Sequence, residues 1–244
     1  MIKDGLKIED EVIRSYLMIG QSNMAGRGEF GDVEPINNKM CYMLRMGRWQ
    51  RMREPINPDR PIFEGIYHSG TSLGASFADE TARRMNVKVG MIPCADGGTS
   101  IEQWMPGEVL YDHAVMMTRL AMRSSVFSGI LWHQGESACG SDENVRAYKE
   151  KFMTMMTSLR RDLGAENIPV IIGELSERIS EKFTDMGERP RLMNGIFHEI
   201  AEELPLCGVV SSDGLTLKPD GIHFDAASLR EFGRRYFEAY TKLI

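Results

Sequence analysis

Basic charge is in short supply in this chain of 244 residues. Its 29 Lys and Arg stand against 35 Asp and Glu, a formal charge of −6, and no block of basic residues is visible. Nucleic acid, polyphosphate and anionic membrane surfaces all call for a clustered basic face, so such partners are excluded. Long apolar runs are lacking too. The longest, at 127–132 and 168–173, fall far short of the roughly 20 residues a bilayer-spanning helix needs. Residues 1–11, from Met1 to Glu11, are charged where a secretory leader would be apolar, and a cytoplasmic protein is expected. The four cysteines, Cys41, Cys94, Cys139 and Cys207, form no CxxC pair. That spacing argues against a zinc site or a redox dithiol and for reduced thiols buried as small hydrophobes. Neither an internal repeat nor a composition break suggestive of a linker is present, so residues 1–244 read as one domain.

What the chain does contain is alternation. Apolar, strand-like runs lie at 15–20, 87–94, 128–133, 168–174 and 205–211, nearly continuous in the manner of strands buried on both faces. Helical patterns lie between and after them, at 73–84, 110–122, 144–163, 189–203 and 226–243. Strand–helix alternation along the whole length predicts right-handed crossovers: an α/β fold, three layers α/β/α, around a five-stranded parallel sheet. Residues 26–70 break the rhythm as a loop insertion rich in Gly, Pro, Asn and Arg, with a short hairpin predicted over 43–52 around Gly47.

In such a sheet ligands bind outside the carboxyl ends of the strands. After the first strand stands Gly20-Gln21-Ser22-Asn23-Met24-Ala25-Gly26. A serine at this turn either exposes its hydroxyl beside free backbone N–H groups or simply caps the helix. After the second come Gly97 and Gly98, either a close backbone approach to a ligand or a plain turn. After the third is His133-Gln134-Gly135-Glu136. Gln134 can aim its amide at the same spot, while His133 and Glu136 are each either catalytic or braces for the loop. After the fifth comes Asp220-Gly221-Ile222-His223, whose three-residue spacing lets the carboxylate reach the imidazole and fix its tautomer. Asp225 is a rival carboxylate, better placed to cap the last helix. A serine hydroxyl needs such an oriented base to act as a nucleophile. Each piece is weak alone, but their convergence on strand ends favours a serine hydrolase.

These blocks, with Gly97-Gly98-Thr99-Ser100 completing the second, resemble the motifs of the SGNH hydrolase superfamily. More narrowly, they are similar to its sialate O-acetylesterase and acetylxylan esterase branch, carbohydrate esterase family 6. The resemblance runs in order from about residue 15 to the C-terminus and implies a flavodoxin-like SGNH fold. It implies Ser22 as nucleophile, His223 as general base and Asp220 as the orienting carboxylate. The oxyanion hole would comprise the Ser22 N–H, a backbone N–H of the glycine pair and the Gln134 side-chain amide. Gly97 is chosen over Gly98 because it comes first after the strand. The implied reaction is removal of acetyl groups from sugar hydroxyls through an acyl-enzyme, with an acetylated carbohydrate as substrate and no metal or organic cofactor.

Arg27 and Trp104 are candidate sugar contacts on loops near these blocks, with Tyr67 and His68 beside them. The literal GxGxxG at 26–31 is not a dinucleotide fingerprint, because it neither follows a strand directly nor opens a helix. Alternative functions are a general short-chain carboxylesterase and a non-catalytic carbohydrate-binding protein. The retention of Ser22, Asp220 and His223 together argues against the second. Net charge says nothing of oligomeric state, and homo-oligomers are compatible with the sequence.

Overall fold

A computed structural model describes residues 12–58 and 68–244. The N-terminal stretch 1–11 and Tyr67 lie outside the described residues. Along the first strand, β1 (Ile13–Gly20), side chains alternate between two cores: Leu17 and Ile19 enter one, Tyr16 and Met18 the other. Both faces are covered, which is why the run is apolar throughout. After β1 come α1 (Ser22–Ala25), β2 (Cys41–Arg45), β3 (Arg48–Arg51), α2 (Leu73–Met85) and β4 (Lys88–Pro93). The chain continues through α3 (Val109–Met122), β5 (Ser125–His133), α4 (Asp142–Leu163), β6 (Val170–Gly173) and α5 (Ile179–Lys182). It ends with α6 (Arg189–Glu203), β7 (Cys207–Val210) and α7 (Ala226–Thr241).

The sheet order is β3-β2-β4-β1-β5-β6-β7. The five expected strands are β1, β4, β5, β6 and β7, all parallel. The sheet is nevertheless seven-stranded, because the hairpin expected in the insertion joins it. β2 pairs parallel with β4, and β3 closes that edge antiparallel. The hairpin turns through Met46 and Gly47, both at positive φ, as a two-residue hairpin loop requires. Its seat is made by Gly90 on β4: a Cβ there would collide with the Trp49 ring at 2.5 Å.

Helices α2 and α7 pack on one face, and α3, α4 and α6 on the other, which completes the three layers. All four cysteines are free and buried. Among the described residues, no helix is long and apolar enough to cross a membrane. After Gly26 the GxGxxG segment opens no helix, and Gly28 instead bridges to Thr71.

β1 lies at the centre of the sheet, where the chain passes from strands on one side to strands on the other. Its neighbours are β4 and β5. Their three carboxyl ends therefore deliver Ser22, Gly97 and Gln134 to one place, the crevice a doubly wound sheet leaves at its switch point.

Candidate active site

The turn between β1 and α1 is made by Gly20, held at φ 126° with the Gln21 N–H donating to the His133 carbonyl at 2.9 Å. A Cβ on Gly20 would sit 2.1 Å from that carbonyl oxygen, so no other residue fits. Ser22 follows as the first residue of α1 and is not its cap, a position held by Gln21.

The histidine arrives from the other end of the chain. The loop before α7 is shaped by Asp220, whose Oδ1 accepts the N–H groups of Ile222 and His223 at 3.0 and 2.9 Å. Its Oδ2 lies 3.0 Å from His223 Nδ1, and His223 Nε2 lies 2.9 Å from Ser22 Oγ. The carboxylate needs a donor at Nδ1, so Nε2 is left as acceptor for the Ser22 hydroxyl. Partial burial raises the Asp220 carboxyl, but the two N–H donors and the His223 ring outweigh it and hold the group below its ordinary value. Asp225 is engaged elsewhere. It caps α7 by accepting the Ser228 N–H at 2.7 Å, and it also binds the Thr216 hydroxyl.

The loop after β4 is folded by its own side chains. Thr99 Oγ1 donates to the Asp96 carbonyl at 2.7 Å, and the Thr99 carbonyl accepts from Gln134 Nε2 and Ser137 Oγ, both at 3.1 Å. Gly97 is thereby set against the serine: a Cβ there would lie 3.5 Å from Ser22 Cβ. Gly98, at φ 74°, faces open space. Gln134 is fully buried, its Oε1 accepting from the Tyr148 hydroxyl at 2.7 Å. Its expected part in the oxyanion hole is therefore corrected: with Nε2 on the Thr99 carbonyl and no exposed surface, the carboxamide braces the glycine loop from beneath.

Two expected sugar contacts fare differently. Arg27 donates to the Gly26 carbonyl at 2.8 Å, and its guanidinium lies beside Gly97, within 2.6 Å of where a Cβ would be. With Asn57, Asp96 and Gly97 it borders a recess of about 20 Å³. Trp104 is corrected: it is 1% exposed and packs edge-on against Trp132 at 5.6 Å. Its indole N–H donates to Thr99 Oγ1 at 3.1 Å, so it supports the glycine loop from within the core and offers no face to a ligand. His68 is exposed.

His133 and Glu136 turn out to be braces. His133 is fully buried, with the edges of Phe224 and Phe232 around it. Its Nε2 lies 3.4 Å from Glu136 Oε1. Asn23, which sequence reasoning quoted but gave no role, is the link between this pair and the histidine loop. Its position directly after the serine was the one signal available.

A mostly parallel sheet of this order between two helical layers, with the motif blocks at its carboxyl edge, is an α/β/α fold shared with NanS. Residues 12–242 match the SASA family, described as carbohydrate esterase, sialic acid-specific acetylesterase; the chain belongs to that family and is a carboxylic ester hydrolase. A probable carbohydrate esterase of Arabidopsis thaliana is 28% identical over 248 residues, 92% of this chain and 89% of the relative. The X-ray structure of that plant protein superimposes with a TM-score of 0.80 at 25% identity, over 95% of this chain and 99% of the plant chain. NanS matches in fold with a TM-score of 0.73 at 17% identity, over 96% of this chain and 98% of its own. A carbohydrate acetylesterase from Xanthomonas citri does so at 0.67 and 20% identity, over 94% of this chain and 56% of its own.

Proposed function

We propose that this protein removes O-acetyl groups from a carbohydrate through a Ser22-His223-Asp220 triad and an acyl-enzyme intermediate. The observation that carries the reading is the line from Asp220 Oδ2 through the imidazole to Ser22 Oγ, with contacts of 3.0 and 2.9 Å. Family membership supports the acetyl group and the sugar.

In the first step Ser22 Oγ attacks the ester carbonyl while His223 Nε2 takes its proton. Asp220 holds the imidazole in the required tautomer and balances its positive charge. The tetrahedral oxyanion is received by the N–H groups of Ser22 and Gly97. Loss of one such donor typically costs about 2.7–4 kcal/mol of barrier. His223 then returns the proton to the departing sugar hydroxyl, which leaves the acetyl group on Ser22. Water, deprotonated by the same imidazole, attacks that ester, and acetate leaves as Ser22 recovers its proton.

The test is hydrolysis of p-nitrophenyl acetate, butyrate and octanoate by the wild type and Ser22→Ala. Activity confined to the acetate and abolished by the substitution is expected. Equal rates on all three chains would replace the reading with a general short-chain carboxylesterase. A Ser22→Ala variant keeping more than roughly a tenth of the rate would remove the serine from the mechanism, since loss of a nucleophile costs orders of magnitude.

A further inference from the structure

We infer that Glu136 is a positioning residue for this reaction: through Asn23 it grips the backbone on both sides of His223 and so sets the imidazole on Ser22. The inference rests on the triad reading above. Glu136 touches neither Ser22 nor the imidazole in any hydrogen bond; it acts through the Asn23 carboxamide.

That carboxamide makes three bonds. Oδ1 accepts the Phe224 N–H at 3.1 Å, and Nδ2 donates to the Ile222 carbonyl at 3.1 Å and to Glu136 Oε1 at 2.7 Å. Ile222 and Phe224 flank His223 in the chain, and Ser22 precedes Asn23. One side chain therefore fixes the base relative to the residue beside the nucleophile. Only one orientation of the amide satisfies all three partners. Reversed, it would set an oxygen against the Glu136 carboxylate and the Ile222 carbonyl, and an NH₂ against the Phe224 N–H. The Ile222 carbonyl and the Phe224 N–H already select the observed orientation, and Glu136, as an acceptor, adds a third bond that fits only that one.

The carboxylate is gripped through one oxygen, while Oε2 is buried with no hydrogen-bond partner among the described residues. Glu136 is 2% exposed, and His133 Nε2 lies 3.4 Å from the same Oε1 that Asn23 reaches. Burial pushes its carboxyl up, but His133 and the Asn23 donor outweigh this and keep it below the ordinary glutamate range. A buried charge is a poor way to fill a core, since apolar residues of similar volume serve stability as well or better. Here the partner it grips carries the two peptide groups around the base, which gives the charge a use that packing alone does not.

The experiment measures kcat and KM for p-nitrophenyl acetate in the wild type, Ser22→Ala, Glu136→Gln and Glu136→Ala, with a thermal melt of each. Glu136→Gln keeps an acceptor oxygen for Asn23 and should hold kcat within about tenfold of wild type, the difference between a charged and a neutral acceptor. Glu136→Ala should lose about 100-fold in kcat, as expected for a misplacement of about 1 Å, with KM little changed. A crystal structure of Glu136→Ala should show His223 Nε2 withdrawn beyond hydrogen-bond distance from Ser22 Oγ. An alanine variant with wild-type kcat, a loss confined to KM, or an unaltered Nε2–Oγ contact overturns the inference. If Glu136→Ala does not fold, Asn23→Asp carries the test, because it opposes two carboxylates. Its kcat should fall about 100-fold and rise again when Glu136→Gln supplies an amide donor; no recovery overturns the inference. A wild type that hydrolyses no acetyl ester would instead sink the esterase reading, and the crystallographic distance would still decide the role of Glu136.

Discussion

Replacing Asp220 by asparagine removes one charge while leaving the loop that carries His223 in place. Asparagine keeps an oxygen for the N–H groups of Ile222 and His223, bonds now made by Oδ1 at 3.0 and 2.9 Å. At the other position, however, an NH₂ faces His223 Nδ1, so the ring must carry its proton on Nε2. It would then donate to Ser22 where it should accept. At 3.0 Å the lost attraction for a developing imidazolium is about 5.5 kcal/mol at an effective dielectric of about 20, and about 1.4 kcal/mol in bulk water. The Asp220 side chain is 40% exposed, so solvent screens the pair. An intermediate dielectric of about 40 gives about 2.8 kcal/mol, a loss of roughly 100-fold in kcat. That is less than the ~10⁴ seen where the orienting carboxylate is buried, because water here can substitute for part of it. The assay is steady-state hydrolysis of p-nitrophenyl acetate near neutral pH, with a thermal melt to establish that the fold is kept. A kcat within about twofold of wild type would refute the reasoning. So would a comparable loss in Asp225→Asn, whose carboxylate caps α7.

Gly20→Ala should be structurally costly. Its φ of 126° disfavours any side chain, and the new Cβ would press on the His133 carbonyl at 2.1 Å. Strain and overpacking together come to about 3 kcal/mol, a fall in Tm of about 10 °C; a melt within a degree or two of wild type would contradict the geometry. The buried thiols supply a pH test. Burial pushes Cys41, Cys139 and Cys207 up to about 12, and Cys94 higher still. Thiols of the unfolded chain titrate near about 8.5, so the stability due to keeping them protonated is complete below that pH and declines as pH rises towards the folded values. At pH 8 the native protein should therefore resist an aromatic disulfide reagent, and all four thiols should react once it is unfolded. Rapid labelling of the native state would refute this.

The strands of the central sheet were legible because each buries both faces, and a nearly unbroken apolar run such as 15–20 allows few other readings. The place of the hairpin was not. Its pairing with β4 and the space at Gly90, filled by the ring of Trp49, seat it at the sheet edge, and that fit joins residues 41 positions apart. Trp104 was misread for a related reason. It stands in a loop-like stretch, and what buries it is Trp132, on a strand formed later in the chain. The Asp220–His223 contact was visible through spacing, since the two residues share one tight loop. Glu136 stayed ambiguous, because a catalytic acid and a buried brace look alike until their surroundings are known.

The serine and the imidazole that meet at 2.9 Å lie 201 residues apart, near opposite ends of the chain. A ribosome-bound fragment can carry the glycine turn, the parallel strands and most of both cores and still be chemically inert. His223 arrives only when the loop before α7 reaches Ser22 and Asn23 and α7 settles beside α2. Closing so long a loop is among the slower events in folding. Hydrolytic activity recovered after dilution from denaturant therefore times the completion of the whole chain rather than the formation of its sheet.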